Sequence, residues 1–195
     1  MRRLPIALAA VLFAWPALAA STNPADMPAG HWTLDASHAS LIAKVKHLGV
    51  VYYAVRFDKL AGTFTWDPAH PEATHLEASV DVTSLDVGNQ HSKAFAEDFL
   101  AASRYPKATF VSTAVSPAAD GKSGTITGDL TLRGVTRPVT LQVSFVGVGH
   151  GFPFGTVAGF AATAEIKRSD FGSRRFLGLV GDDVSLEVDA EFEHR

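Results

Sequence analysis

The sequence predicts an all-β fold: an extended, eight-stranded antiparallel barrel with one inserted α-helix. Three observations lead there. Residues 124–145, GTITGDLTLRGVTRPVTLQVSF, are two alternating runs joined by a Gly-containing turn, the pattern of a β-hairpin. Further runs of the same period lie before and after it, separated by short, turn-rich connections. Only residues 92–102 change to the helical period. Strands so connected make an antiparallel meander rather than βαβ units, and closing it removes exposed edges.

The first nineteen residues stand apart. Met1-Arg2-Arg3 is basic, residues 4–15 are apolar, and Ala17-Leu18-Ala19 fits a small-x-small cleavage site before Ala20. Pro5 and Pro16 interrupt a run already shorter than the about 20 residues of a comfortable membrane span. We read residues 1–19 as a cleavable signal peptide and the mature chain as periplasmic. Residues 20–30 are polar and Pro-rich, a flexible tether, and residues 31–195 form the barrel domain.

Within that domain a first full strand starts near Ala39, with Leu41, Ala43 and Val45 alternating against Lys44 and Lys46, and turns at His47-Leu48-Gly49. Residues 51–66 are long enough to cross a sheet, and Gly62 inside them predicts a bulge or bend. A turn over residues 67–72 leads to a third strand, Leu76, Ala78, Val80 and Val82 against Glu77, Ser79 and Asp81. The helix follows: Phe95, Phe99 and Ala102 share a stripe, and Tyr105-Pro106 closes it, since the residue before Pro is pushed out of the α region. Residues 107–115 are the fourth strand.

The hairpin supplies the fifth and sixth. Ile126, Gly128, Leu130 and Leu132 face one way, as do Val139, Leu141, Val143 and Phe145. A one-residue slip would bury Thr140, Gln142 and Ser144 at about 1–3 kcal/mol for each unpaired group, which fixes the register. Pro138 stands at the mouth of the sixth strand, where a ladder N–H can be spared. Residues 156–167 and 183–192 complete the eight.

Composition excludes several functions. There is no cysteine, hence no disulfide framework, thiolate chemistry or lipoprotein acylation site. Removing Arg2 and Arg3, with no acid among the first nineteen residues, takes the formal net charge from -3 to -5. With no basic cluster, that balance argues against a nucleic-acid partner. Thirteen Phe against three Tyr and three Trp supply apolar area without hydrogen-bonding handles, which suits a core or an oily pocket.

Catalytic and metal motifs are missing too. The eight His residues are scattered over turns and strand ends with no metal-motif spacing, and there is no GxSxG elbow. Gly147-Val148-Gly149-His150-Gly151 ends a strand and opens no helix, so it reads as a hairpin loop and not a phosphate cradle. The acids at 182, 183, 187, 189 and 191 read as a solvated outer face. No inward strand position is an obvious titratable group, so the chain is read as a non-enzyme with no metal and no catalytic cofactor. What remains is the apolar face: Val45, Phe57, Phe64, Val80, Phe110, Leu141, Phe145 and Phe160, with Phe95 and Phe99 of the helix covering one mouth. Such a face either fills the barrel or lines a pocket, and composition alone favours filling.

The ordered motifs resemble the YceI family of exported, lipocalin-like barrels across essentially the whole mature chain. They run from Trp32-x-x-Asp35-x-x-His38-x-x-Leu41 through His47-Leu48-Gly49, Gly62-x-Phe64 and Asp98-Phe99-Leu100 with Tyr105-Pro106-x-x-x-Phe110. Gly128-x-Leu130-Thr131-x-x-Gly134-Val135-Thr136-x-Pro138 and Arg168-Ser169-Asp170-Phe171-Gly172 complete the set. The chain departs from the family where Gln90-His91-Ser92-Lys93-Ala94 replaces an Arg-Asp-x-His-Leu run.

The resemblance implies a lumen that binds an amphiphile, a polyisoprenoid or isoprenoid quinone, without catalysis. Phe171 joins the ligand-binding residues through it. A polar headgroup would sit at a mouth. Arg56 is the expected partner there, or else an outward Arg paired with Asp58 or Asp81; Tyr52, Tyr53 and Arg174 are further candidates. Partners are thus a lipid ligand and, at most, a membrane met transiently; a homodimer stays open. Two other readings compete: an outer-membrane barrel, which the missing aromatic girdles at strand ends disfavour, and a lipid-modifying enzyme using the same pocket.

Overall fold

The computed structural model describes residues 20–151 and 155–194; the expected signal peptide lies outside them. Ten strands follow one another: β1 Gly30–His47, β2 Val51–Phe57, β3 Leu60–Trp66, β4 His75–Asp81, β5 Leu85–Asp86, β6 Lys107–Pro117, β7 Ser123–Leu132, β8 Val135–His150, β9 Thr156–Lys167 and β10 Val180–His194. The helix α1, Ser92–Leu100, lies between β5 and β6. Eight strands close the antiparallel barrel in the order β1-β3-β4-β6-β7-β8-β9-β10, with β10 returning to β1. β2 and β5 extend the wall beyond the point where β3 leaves β1.

Three local departures from simple alternation shape this barrel. The long second strand breaks at Asp58-Lys59 and not at Gly62: the Ser84 hydroxyl accepts from both backbone N–H groups, at 3.2 and 3.0 Å. β1 begins at Gly30 rather than Ala39, because Asp35, Ala36, Ser37 and His38 bulge out opposite Glu191 between the pairs Leu34–Phe192 and Ala39–Ala190. β8 and β9 pair only over Gln142–His150 and Thr156–Thr163, so below that point the wall parts into a seam. Pro138 lies on the β8 stretch bordering the seam, a position that spares a ladder N–H.

The expected tether is held against the barrel. Ser21 exchanges two 2.8 Å backbone hydrogen bonds with Val148, and Met27 is buried beneath Trp32 and Phe64. The hairpin faces fall as expected, with Ile126, Leu130, Leu132, Val139 and Leu141 in one apolar cluster. Gly128 is required there: a Cβ would lie 2.4 Å from the Phe110 ring and 2.5 Å from the Val111 carbonyl. Leu48, Ala101, Arg133 and Phe176 adopt left-handed backbone without being glycine, each at roughly 1–2 kcal/mol. All four flank the end of the barrel carrying α1.

Candidate functional site

The barrel interior has a floor, a middle and a mouth. At the floor, Trp32 stacks on Phe64 at 5.8 Å, and Phe64 meets Phe160 and Phe192 edge-on at 5.7 and 4.9 Å. Phe145 extends the group through Phe160 at 5.5 Å. Trp32 is fully buried, and its indole N–H donates to the Pro28 carbonyl at 3.3 Å. Rings from opposite walls therefore meet across the axis here, and this end is filled.

Above the floor the inward face is aliphatic. Phe110 and Phe171 are buried there with Val139 and Ala164, and Leu130, Leu141 and Leu186 pack against them. Leu41, Ala43 and Val45 continue the face toward the mouth, alternating with Ile42, Lys44 and Lys46 on the outside. Leu41, Leu141, Val143, Leu186 and Val188 are only half-buried although they share the inward face of their strands. On this face β8 from Val139 to Phe145, β9 from Ala158 to Ile166 and β10 from Val184 to Ala190 carry no Asp, Glu, Lys or Arg; Asp182, next in the β10 alternation, bonds Ser169 at the mouth end.

The mouth is covered by α1. Ala96 and Ala102 are buried against Phe57, Val82 and Leu85, with Val55, Val80, Phe95 and Leu100 around them. Phe95 contacts Tyr53 at 6.0 Å and Phe99 at 5.8 Å, and Phe99 reaches Phe176 at 6.3 Å. Ser92 anchors the helix start: its hydroxyl accepts from the Val87 N–H and donates to Asp86, both at 3.0 Å. That is what the segment departing from the family pattern does here.

Arg168 holds the loop beside the helix. Its guanidinium donates to the carbonyls of Gly181, Ser173, Arg175 and Val180 at 2.7–2.9 Å and lies 5.6 Å from the Phe99 ring. Burial lowers its pKa from the ordinary value, with the Asp182 charge opposing. Arg133 donates to the Phe99 carbonyl at 2.9 Å, capping α1, while its Nε is buried without a partner among the described residues. Sequence reasoning overlooked both; the only signal was their place in the 128–138 and 168–172 motifs.

The expected ligand residues are thus spread along the axis. Phe64, Phe145 and Phe160 are in the floor, Phe110, Leu141 and Phe171 in the middle, and Val45, Phe57, Val80, Phe95 and Phe99 near the mouth. Arg56 takes the outward of its two readings: it is exposed and paired with Asp58 at 3.0 Å. Tyr52 and Arg174 are exposed at the rim, whereas Tyr53 turns toward the helix.

Two clefts open on the seam. One of about 440 Å³ runs between Thr140, Glu165 and Lys167 down to Val139, Ile166 and Phe171; the other, about 450 Å³, lies beside Gln142, Thr163 and Glu187. Charged rims make them wall clefts and not a hydrocarbon chamber. Phe171 stoppers the seam from inside.

On the outer wall the β1 bulge gathers Asp35, His38 and Glu191. His38 Nδ1 lies 2.7 Å from Asp35 and 3.7 Å from Glu191, and Asp35 also accepts from the Ser37 N–H and hydroxyl. Hydrogen bonds from Ser37 and His38 lower Asp35 to about 2; the Asp35 hydrogen bond and charge, with the Glu191 charge, raise His38. The group satisfies itself by ion pairing.

Residues 32–192 match a family described as the YceI-like domain. The chain is 37% identical over 161 residues to protein YceI of Escherichia coli O157:H7, covering 80% of this chain and 82% of that protein. Among solved structures it is similar to Burkholderia cenocepacia BcnA, with a TM-score of 0.72 at 27% identity over 81% of this chain and 98% of that one. A polyisoprenoid binding domain from Saccharophagus degradans shares the fold, with a TM-score of 0.63 at 16% identity over 84% and 98% of the two chains.

Proposed function

Since this chain belongs to the YceI-like family, we propose that it is a periplasmic carrier that holds the tail of a long-chain isoprenoid, a polyprenyl lipid or isoprenoid quinone, against its inner apolar face. The family and the fold shared with a polyisoprenoid binding domain support a binding role; the ligand, the compartment and the carrier role are our reading. The observation carrying it is the uncharged inner face whose side chains Leu41, Leu141, Val143, Leu186 and Val188 stay half-buried between a filled floor and a helix-covered mouth. In a barrel serving only as a scaffold these positions would be packed shut.

Energetics favour a long ligand. Burying about 400 Å² of hydrocarbon yields roughly 10 kcal/mol gross at about 25 cal/mol/Å², against association costs of about 4–15 kcal/mol. A short tail binds weakly, and each further prenyl unit adds to the surplus. The headgroup, a quinone carbonyl or phosphate, stays at the mouth, where the buried Arg133 Nε, unpartnered among the described residues, is the donor best suited to it.

Native mass spectrometry of the protein purified from its own host without detergent tests this. A bound mass of several isoprene units is expected. Repeated preparations giving only the bare chain mass, or a hydrophilic guest, would overturn the reading.

A further inference from the structure

The mouth carries a second surface. Among the described residues, the large apolar side chains left exposed lie, except for Val111 and Val146, in two segments at this end. Leu48 and Val50 come from the β1–β2 turn, with Val51 and Tyr52 at the start of β2; Phe176, Leu177 and Leu179 come from the loop before β10. A 2.7 Å hydrogen bond from Leu48 N–H to the Leu179 carbonyl and the His47–Val180 pairing make the two segments one collar. Val50 is 83% and Leu179 55% exposed.

The collar is built, not left over. Leu48 and Phe176 at its two tips are held in left-handed backbone that an apolar L-residue avoids. Arg168, through its four carbonyl contacts, fixes the loop that presents Phe176. Phe176 is continuous with the mouth through Phe99.

Cations border the apolar tips. Lys46 lies over the Tyr52 ring, and neither it nor Arg174 has a carboxylate partner among the described residues. Of the nearby acids, Asp98 pairs with Arg175, Asp183 with Lys167, and Asp182 accepts from Ser169, while the charge of exposed Asp170 acts on Lys167. Apolar tips within a cationic rim match the interface of an anionic bilayer, with hydrocarbon below and phosphates at the surface. A second copy of the chain fits less well, because a two-fold contact would bring the cationic Lys46 and Arg174 of one copy toward those of the other.

We infer that the collar of Leu48–Val51 and Phe176–Leu179, with Lys46 and Arg174, docks the α1 end of the barrel onto an anionic lipid bilayer. This rests on the proposed carrier function, since a docked mouth lets a tail pass between bilayer and barrel without crossing water. The bilayer is identified by its chemistry alone: any anionic glycerophospholipid surface satisfies it.

Vesicle flotation tests it, with phosphatidylcholine vesicles and with vesicles of equal phosphatidylcholine and phosphatidylglycerol. The wild-type chain should float with the anionic vesicles and only weakly with the neutral ones, and salt should reverse binding. Lys46→Glu/Arg174→Glu should weaken binding by roughly fivefold or more for each cation reversed, from ~1 kcal/mol per charge. Val50→Asp/Leu179→Asp should abolish flotation yet still take up a fluorescent prenyl lipid delivered from micelles. Uptake from micelles with no vesicle binding by the wild type would overturn the docking and spare the carrier function; binding without uptake would do the reverse. Equal flotation of wild type and both variants would also overturn the docking. So would loss of a wild-type dimer in Val50→Asp/Leu179→Asp with flotation unchanged, which would give the collar to a second copy.

Discussion

The two ends of the barrel use similar residues to opposite effect. At the floor, Trp32, Phe64, Phe160 and Phe192 meet ring to ring, and Met27 seals them from below. At the mouth, α1 packs through Ala96 and Ala102, Phe95 and Phe99 are half-buried, and Phe176 and Leu179 stand in water. The floor is secured by rings in contact, whereas the mouth adds hydrogen bonds from Arg168, Arg133 and Ser92 to an apolar cluster of Phe57, Val82, Leu85, Ala96 and Ala102. The exposed loop of Phe176, Leu177 and Leu179 has little buried area to hold it, so it can open locally while the barrel stays folded, and access belongs to the mouth.

Changes at the two ends should therefore separate stability from uptake. The largest effect is expected for Trp32→Ala, which should cost about 3–5 kcal/mol in urea denaturation, as large aromatic deletions in a filled core do. A loss within the range of ordinary surface changes would mean the floor is not the anchor. Phe145→Asp places a carboxylate where floor and middle meet. It should cost about 2–4 kcal/mol and abolish uptake of a fluorescent prenyl lipid; intact uptake would remove Phe145 from the path of the ligand.

At the mouth, Arg168→Met removes the donors to four carbonyls, at about 1.5–3 kcal/mol for charged hydrogen bonds. Its distinguishing readout is hydrogen exchange. Amides of residues 173–181 should exchange faster while those around Trp32 and Phe64 keep their protection. Uniform acceleration would show that the two ends are not separable.

The smallest effect concerns the ion pair on the outer wall. Asp35, lowered to about 2, contributes stability that is present above its unfolded pKa and lost as pH falls through about 2. His38, raised above 6.5, contributes stability that is complete below 6.5 and lost as pH rises through its folded value. Wild type and His38→Gln should differ most in Tm on the acid side of neutrality and converge as pH rises. His38 is exposed and Asp35 half-buried at the surface, so the gap should be small; a gap independent of pH would mean the pair does not act through charge.

How much of this was legible in the sequence depended on where the determining contact lay. The 124–145 hairpin was readable because its period and register penalty are local, and Ile126, Leu130, Val139 and Leu141 share a cluster as expected. The helix was readable from its Phe95, Phe99 and Ala102 stripe, but its end was not: it stops at Leu100, capped by the left-handed Ala101, before Tyr105-Pro106 is reached. The break at Asp58-Lys59 was not, since the hydroxyl that makes it belongs to Ser84. The first half of β1 was hidden because the 35–38 bulge resets the alternation. Residues 21–29 looked like a tether because one buried Met in a polar, Pro-rich run carries no periodic signal. The collar fell outside every periodic run, so its loops were passed over.

On the proposed function, a hydrocarbon chain lies along the inner face with its far end toward the aromatic floor. The most direct measurement is photo-crosslinking with a prenyl lipid carrying a diazirine at the tail end, mapped by mass spectrometry. Adducts should form on Leu141, Val143, Phe145, Leu186 and Val188. Adducts confined to Val50, Phe176 and Leu179, or to the outer seam at Thr140 and Gln142, would contradict the claim and leave the barrel a filled scaffold.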